Sequence, residues 1–343
     1  MAPFALAWRF AHVYRVRAGY PRSSPPAGDP ADLGLPFESR TVPTPDGLAL
    51  PAWWIPNANA GPAPAVVLIH GWESARYRTL ANAQILHALG YHVLTIDVRG
   101  HGLNPPETLP VSAGEFGTDA LAAVEAALDD PQVTKVAVLG HSMGSIGAIL
   151  AAAAEPRVAA VVLTATPADP YRLTRQTFRL ARLPIPDPIA YPLAWLTTRV
   201  YLAPRGHAVD DISATTAIRR FEGPILAIHG TEDRVVPFAH LARLVEAARR
   251  ARADDDDAAP VESVVIPGGE HSWLYEFPAY RGAIGRFLAA AFGGPMMGDE
   301  AAAAAEAVDV RRPVDQRGEF SALARGRAAA DDLGLDDRND AGA

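Results

Sequence analysis

The sequence contains no cysteine, which excludes a disulfide framework and a thiolate metal site alike. It has a single lysine, Lys135, so arginine carries the remaining positive charge. Heavy use of Ala, Pro and Arg is the habit of a GC-rich genome and is not read as a recognition surface. Acids outnumber bases, and a formal net charge of -8 offers no general attraction to nucleic acid. No run reaches the roughly 18 to 20 apolar residues that span a bilayer. The apolar stretch from Phe4 to Val16 is interrupted by Arg9, His12 and Arg15. It lacks a basic leader and a small-residue cleavage site, so it is a poor signal peptide. It reads as a helix or arm packed on the domain, with Phe4, Trp8, Ala11 and Arg15 near one face. A weak membrane-surface anchor through residues 4–16 is the less favoured reading. The expected location is cytoplasmic, at most peripheral to a membrane.

What is present suffices for a large core: 343 residues, 49% of them hydrophobic. Residues 1–37 read as the N-terminal helix or arm followed by a Pro/Gly/Ser/Asp-rich linker. Two strand candidates, Glu38 to Thr44 and Leu48 to Ile55, flank Pro45-Asp46-Gly47. Pro presets φ and Gly accepts positive φ, so this is a turn signal at a sheet edge. From residue 64, short apolar runs alternate with longer helical stretches. The runs are Ala65 to Ile69, His92 to Ile96, Lys135 to Leu139, Ala159 to Leu163, Pro224 to Ile228 and Val261 to Ile266. Such runs fit strands buried on both faces, and the alternation predicts an α/β fold with a mostly parallel, doubly wound sheet of about eight strands. Residues 167–222 break the rhythm with aromatics and prolines and read as a helical cap insertion. The catalytic domain is expected over 38–292. Four acids, Asp254 to Asp257, read as a solvated loop. Residues 293–343 hold few large apolar side chains and are expected to be a disordered Ala/acidic tail, with a transient helix at Ala301 to Val308.

The strongest local signal is Gly140-His141-Ser142-Met143-Gly144. It follows an apolar strand and opens a small-residue helix, which is the required context for G-x-S-x-G. The turn exposes the Ser142 hydroxyl and aims a helix N-terminus at it, and backbone amides there favour developing negative charge. A serine hydroxyl needs a base. Among the ten histidines, His271 follows the last strand in a glycine-rich loop, Gly268 to Trp273. His70, His101 and His229 each follow a strand without such a setting, and His141 is too close to Ser142 to fold back as its base. The orienting acid is Asp233, in Gly230 to Pro237, with Glu232 as local competitor and Asp97 as a weaker candidate. The order Ser, Asp, His is the one expected for this fold.

Together with His70-Gly71 and Arg99-Gly100-His101-Gly102, these segments resemble the α/β-hydrolase superfamily, nearest to bacterial serine esterases of the lysophospholipase-like kind. The resemblance runs from about residue 38 to 292. It implies a triad of Ser142, Asp233 and His271, a nucleophile elbow bounded by Gly140 and Gly144, and an oxyanion hole from the Met143 and Trp72 amides. His70 is expected to brace its loop. The implied reaction is hydrolysis of a small-molecule acyl ester through an acyl-enzyme, with no cofactor and no metal. A thioesterase, an amidase or a cofactor-free perhydrolase would use the same triad. A non-catalytic binding protein on this fold is the alternative of a different class, and the oligomeric state stays open.

Overall fold

In a computed structural model of the chain, the described residues are 2–22, 26–59, 61–293 and 296–312. Eight strands form one sheet in the order β1-β2-β4-β3-β5-β6-β7-β8. They are β1 (Glu38–Pro43), β2 (Ala49–Ile55), β3 (Ala63–Ile69), β4 (His92–Ile96), β5 (Val133–His141), β6 (Val158–Thr164), β7 (Ile225–Gly230) and β8 (Val261–Ile266). Strands β1 and β2 pair antiparallel, β2 joins β4 antiparallel, and every later pairing is parallel. The expected mostly parallel sheet of eight strands is therefore the one found.

The helices follow from the alternation. They are α1 (Ala2–Ala18), α2 (Leu80–Ala88), α3 (Ala113–Leu128), α4 (Met143–Ala154), α5 (Pro170–Leu180), α6 (Asp187–Leu202), α7 (Ala214–Ala217), α8 (Ala239–Ala251), α9 (Pro278–Phe292) and α10 (Gly298–Ala307). Helix α3 starts cleanly because Ser112 and Glu115 form a reciprocal capping box. One apolar layer packs α3, α4, α7 and α8 on the sheet, and a second packs α2, α9 and α10 on the other face. Two-sided cover explains why β4 and β7 are buried at every residue. Strand β8 departs from the expectation of burial on both faces. It is the sheet's edge, and Glu262, Ser263 and Val265 are exposed.

Two terminal segments also differ from their readings. Helix α1 packs on α5 and α6 through Phe10 and Tyr14; of the face expected from the sequence, Ala11 is buried while Phe4 and Trp8 are exposed. Phe10 meets Phe178 edge-on at 5.4 Å, Tyr14 does so at 6.0 Å, and the Tyr14 hydroxyl lies 2.9 Å from Thr177 Oγ1. Residues 298–307, expected to lack fixed structure, form α10. Its Ala301, Ala302 and Ala305 are buried against α9, where Gly285 lets the two backbones approach. Small residues achieve burial here by proximity, so the scarcity of large apolar side chains misleads. The Arg281 guanidinium then donates to the carbonyls of Ala305 and Glu306 at the end of α10. The rest of the tail expectation, 313–343, lies outside the described residues.

Candidate active site

Parallel strands deliver all their carboxyl ends to one rim, and ligands in such sheets gather there. Ser142 follows β5, Asp233 follows β7 and His271 follows β8. At the elbow the chain must turn from strand to helix within one residue. Ser142 takes φ 54 and ψ -121, which costs a non-glycine residue about 1–3 kcal/mol. The turn is held from several sides. The Ser142 amide donates to the Thr164 carbonyl at 2.9 Å, and Ser145 Oγ donates to the Gly140 carbonyl at 2.6 Å. Glycine is required on both flanks by space. A Cβ on Gly140 would stand 2.3 Å from the Gly144 carbonyl oxygen, and one on Gly144 would stand 2.3 Å from those of His70 and Ile69.

The three side chains named from the sequence converge. His271 Nε2 lies 3.1 Å from Ser142 Oγ, and His271 Nδ1 lies 2.8 Å from Asp233 Oδ2. Asp233 is buried, whereas Glu232 is exposed. The other carboxylate oxygen, Oδ1, accepts the amides of Val235 at 2.9 Å and Val236 at 2.8 Å. Burial by itself would raise the Asp233 pKa, but the neighbouring His271 and His229 rings override it and hold the carboxyl well below its usual range. The acid and histidine loops are also tied to each other. The Glu232 amide donates to the Gly269 carbonyl at 2.9 Å, and the Gly268 amide to Thr231 Oγ1 at 2.9 Å.

Met143 is the first residue of α4, so its amide has no partner within the helix and stands at the positive end of the helix dipole. Gly71 lies against this turn: a Cβ there would come within 3.3 Å of the His141 carbonyl oxygen and of Ser142 Cβ. Trp72, next along, lines the same cavity as Ser142 and Met143. His70 braces this loop. Its Nε2 accepts the Val98 amide at 3.0 Å, leaving Nδ1 to donate to the Gly71 carbonyl at 2.7 Å. Burial lowers its pKa to about 4, so it stays neutral.

The remaining candidates do other work. Asp97 takes the Arg76 guanidinium and the amides of Arg76 and Leu103. Arg99 bridges Asp119 and Asp46. His101 packs edge-on between Trp72 and Phe116. His141 presents its ring 4.9 Å from that of His271 and Nδ1 3.2 Å from Thr164 Oγ1. Burial, followed by the His271 charge, lowers its pKa to about 3.

The sequence reading missed two features. His229, noted only as standing after a strand, has Nε2 3.2 Å from Asp233 Oδ2 and donates to the Val236 carbonyl at 2.8 Å. Its signal was position alone: it is the penultimate residue of β7, four before the acid. The second is the part α1 plays in the cavity over Ser142: an apolar pocket was expected from the 167–222 insertion alone, but the walls of this space of about 560 Å³ include Phe10 and Tyr14 of α1 as well as Leu173 and Phe178 of α5. Among the non-glycine residues with positive φ, Glu73, Ser142 and Trp273 all line it, so backbone strain concentrates at the cavity.

The chain is similar to several known proteins. The sequence is 32% identical over 252 residues to an uncharacterized protein of Mycobacterium tuberculosis, covering 72% of this chain and 77% of that one. It is 27% identical over 246 residues to human protein ABHD12B, covering 68% of this chain and 63% of that one. Among solved structures, the Pyrococcus furiosus esterase Pf2001 superposes with a TM-score of 0.62 at 23% identity, over 80% of this chain and all of that one, a likeness of fold. Residues 66–280 match the family described as "Alpha/beta hydrolase family". That span runs from within β3 through β8 and takes in every residue of the rim just described, and the chain belongs to the alpha/beta hydrolase family.

Proposed function

We propose that the protein is a serine hydrolase of carboxylic esters that works through an acyl-enzyme on Ser142. The observation that carries this reading is the unbroken path Ser142 Oγ, His271, Asp233, with contacts of 3.1 and 2.8 Å. Such a path makes an alcohol nucleophilic near neutral pH. His271 takes the hydroxyl proton as Oγ bonds to the ester carbonyl carbon. The amides of Met143 and Trp72 hold the resulting oxyanion. As the intermediate collapses, the alkoxy group leaves with the proton from His271. Water then enters, gives a proton to His271 and attacks the acyl carbon; Ser142 departs with that proton and the acid is released. Asp233 keeps the imidazole in the tautomer with hydrogen on Nδ1 and stabilises its protonated form.

The acyl group belongs in the cavity walled by Leu173, Phe178, Phe10 and Tyr14, whose lining is mainly apolar. A space of about 560 Å³ suits medium-chain or aromatic acyl groups. The Pyrococcus furiosus protein of similar fold is an esterase, in keeping with an ester substrate.

A fluorophosphonate probe tests the nucleophile. Wild type should label covalently and Ser142→Ala should not; labelling that persists in the variant removes Ser142 from the role. Hydrolysis of p-nitrophenyl acetate, octanoate and palmitate tests the pocket. Octanoate should give the highest kcat/KM, and a steady preference for acetate would contradict a roomy acyl site.

A further inference from the structure

Helix α1 lies outside the region matched to the family, yet it forms part of the catalytic cavity. Phe10, Val13, Tyr14 and Arg17 line that cavity from one side of the helix. Away from that stripe, Phe4 is 69% exposed, Trp8 47% and Val16 64%. A helix with apolar side chains all round is ordinarily buried all round. Here one face packs on α5 and α6 and the opposite face does not. Helix α6, which packs directly along α1, adds exposed Ile189 and Trp195.

The charge on these helices identifies what covers that face. Helix α1 carries three arginines and no acid, α5 three arginines and no acid, and α6 one arginine and the single acid Asp187. This excess of positive charge occurs in a chain whose formal net charge is -8. On α5 the three arginines are paired, Arg172 with Asp169 and both Arg175 and Arg179 with Asp187, so the net excess comes from α1, with Arg199 of α6. Large apolar side chains and an indole beside the acid-free, arginine-bearing α1 match an anionic lipid surface, where the apolar groups enter the acyl boundary and the guanidinium groups meet phosphate. A second copy of the chain would instead set one acid-free, arginine-bearing α1 against another.

We infer that the outer face of α1 docks the protein on an anionic membrane surface. Its inner face then walls the cavity that leads to Ser142, so an acyl chain reaches the serine from the lipid phase alongside the same helix. The delivery step rests on the esterase reading above; the docking does not. Because α1 has 17 residues, including Arg9 and Arg15, it lies along the interface rather than crossing it.

Flotation of the full chain carrying Ser142→Ala, which leaves the vesicle lipid unhydrolysed, measures docking by itself. The probes are vesicles of phosphatidylcholine alone and of phosphatidylcholine mixed with phosphatidylglycerol. We expect binding to the mixed vesicles, at least about tenfold weaker on the neutral ones and weakened by salt. Adding Phe4→Ser, Trp8→Ser and Val16→Ser should lower binding to the mixed vesicles about a hundredfold or more. In the Ser142 background the same triple variant should hydrolyse p-nitrophenyl acetate as wild type does, which shows that the fold is intact. Absence of binding to mixed vesicles overturns the inference, as does equal binding by the triple variant. Self-association of wild type that the three substitutions abolish, without vesicle binding, overturns it in favour of a second copy. Flotation of a protein that cleaves no ester would sink the esterase reading and leave the docking standing.

Discussion

His229 and His271 share one oxygen of Asp233: Oδ2 lies 3.2 Å from His229 Nε2 and 2.8 Å from His271 Nδ1. The carboxylate is therefore aimed by a second ring, while its other oxygen is fixed by two amides. Substituting His229→Phe removes one donor and keeps a planar ring in the buried site. We expect kcat to fall roughly tenfold with KM little changed, because positioning of the imidazole is lost and substrate contacts are not. A variant with unchanged kcat would limit His229 to packing.

Asp233→Asn is the stronger lesion. The amide cannot stabilise a protonated His271 and favours the wrong tautomer. The loss in kcat should be on the order of 10⁴-fold. Circular dichroism and the urea midpoint should show a folded protein. A loss below about tenfold would mean that another acid orients His271.

Gly144→Ala tests the close passage of the elbow under β3. The new methyl would overlap the carbonyl oxygens of His70 and Ile69, both backbone atoms that cannot rotate away. A cost of about 1–3 kcal/mol or more is expected in urea unfolding. Ester hydrolysis should fall further than stability does, because the displaced strand end carries the Trp72 amide. Wild-type stability in this variant would show that the backbones have room to separate.

Stability should decline on mild acidification. Burial holds His70 and His240 at about 4 and His101 and His141 at about 3, against an ordinary 6.5. Between those values the unfolded chain binds protons that the folded chain refuses. Stability is therefore complete above pH 6.5 and is lost as pH falls toward 4, by up to about 1.4 kcal/mol per pH unit for each histidine. Urea midpoints at pH 7.5, 6 and 5 should fall in that order. In His240, Nδ1 accepts the Ala168 amide at 2.9 Å and so must stay unprotonated. His240→Gln should flatten the slope. A midpoint independent of pH over this range would contradict the burial of neutral rings.

The α9–α10 contact predicts a penalty for bulk. Ala305 is fully buried, and its Cβ lies 3.0 Å from where a Cβ on Gly285 would stand. Ala305→Leu should destabilise by about 1–3 kcal/mol in urea. No change would mean that α10 lifts away without cost.

The sheet and the rim were legible because their signals are local. Apolar runs of strand length, the spacing after β5, β7 and β8, and the glycines of the elbow all act within a few residues. Asp233 was separable from Glu232 because each strand-to-loop exit allows few positions to point back toward the rim. His229 was harder to read. A histidine beside a strand end has the same sequence signature whether it faces the acid or packs on Phe238, and here it does both.

The sequence by itself determined the chemistry available: a serine on a turn only glycines permit, a histidine and an acid in the order this fold requires, and strands apolar enough for a covered sheet. Tertiary structure decided which faces are used. Helix α1 turns half-buried Phe10 and Tyr14 onto the domain while Phe4 and Trp8 remain outside, and α10 is held by alanines against a glycine. In both cases the outcome depends on the shape of a surface distant in sequence. Helical periodicity shows that a segment has faces, but only a partner's contour selects one of them.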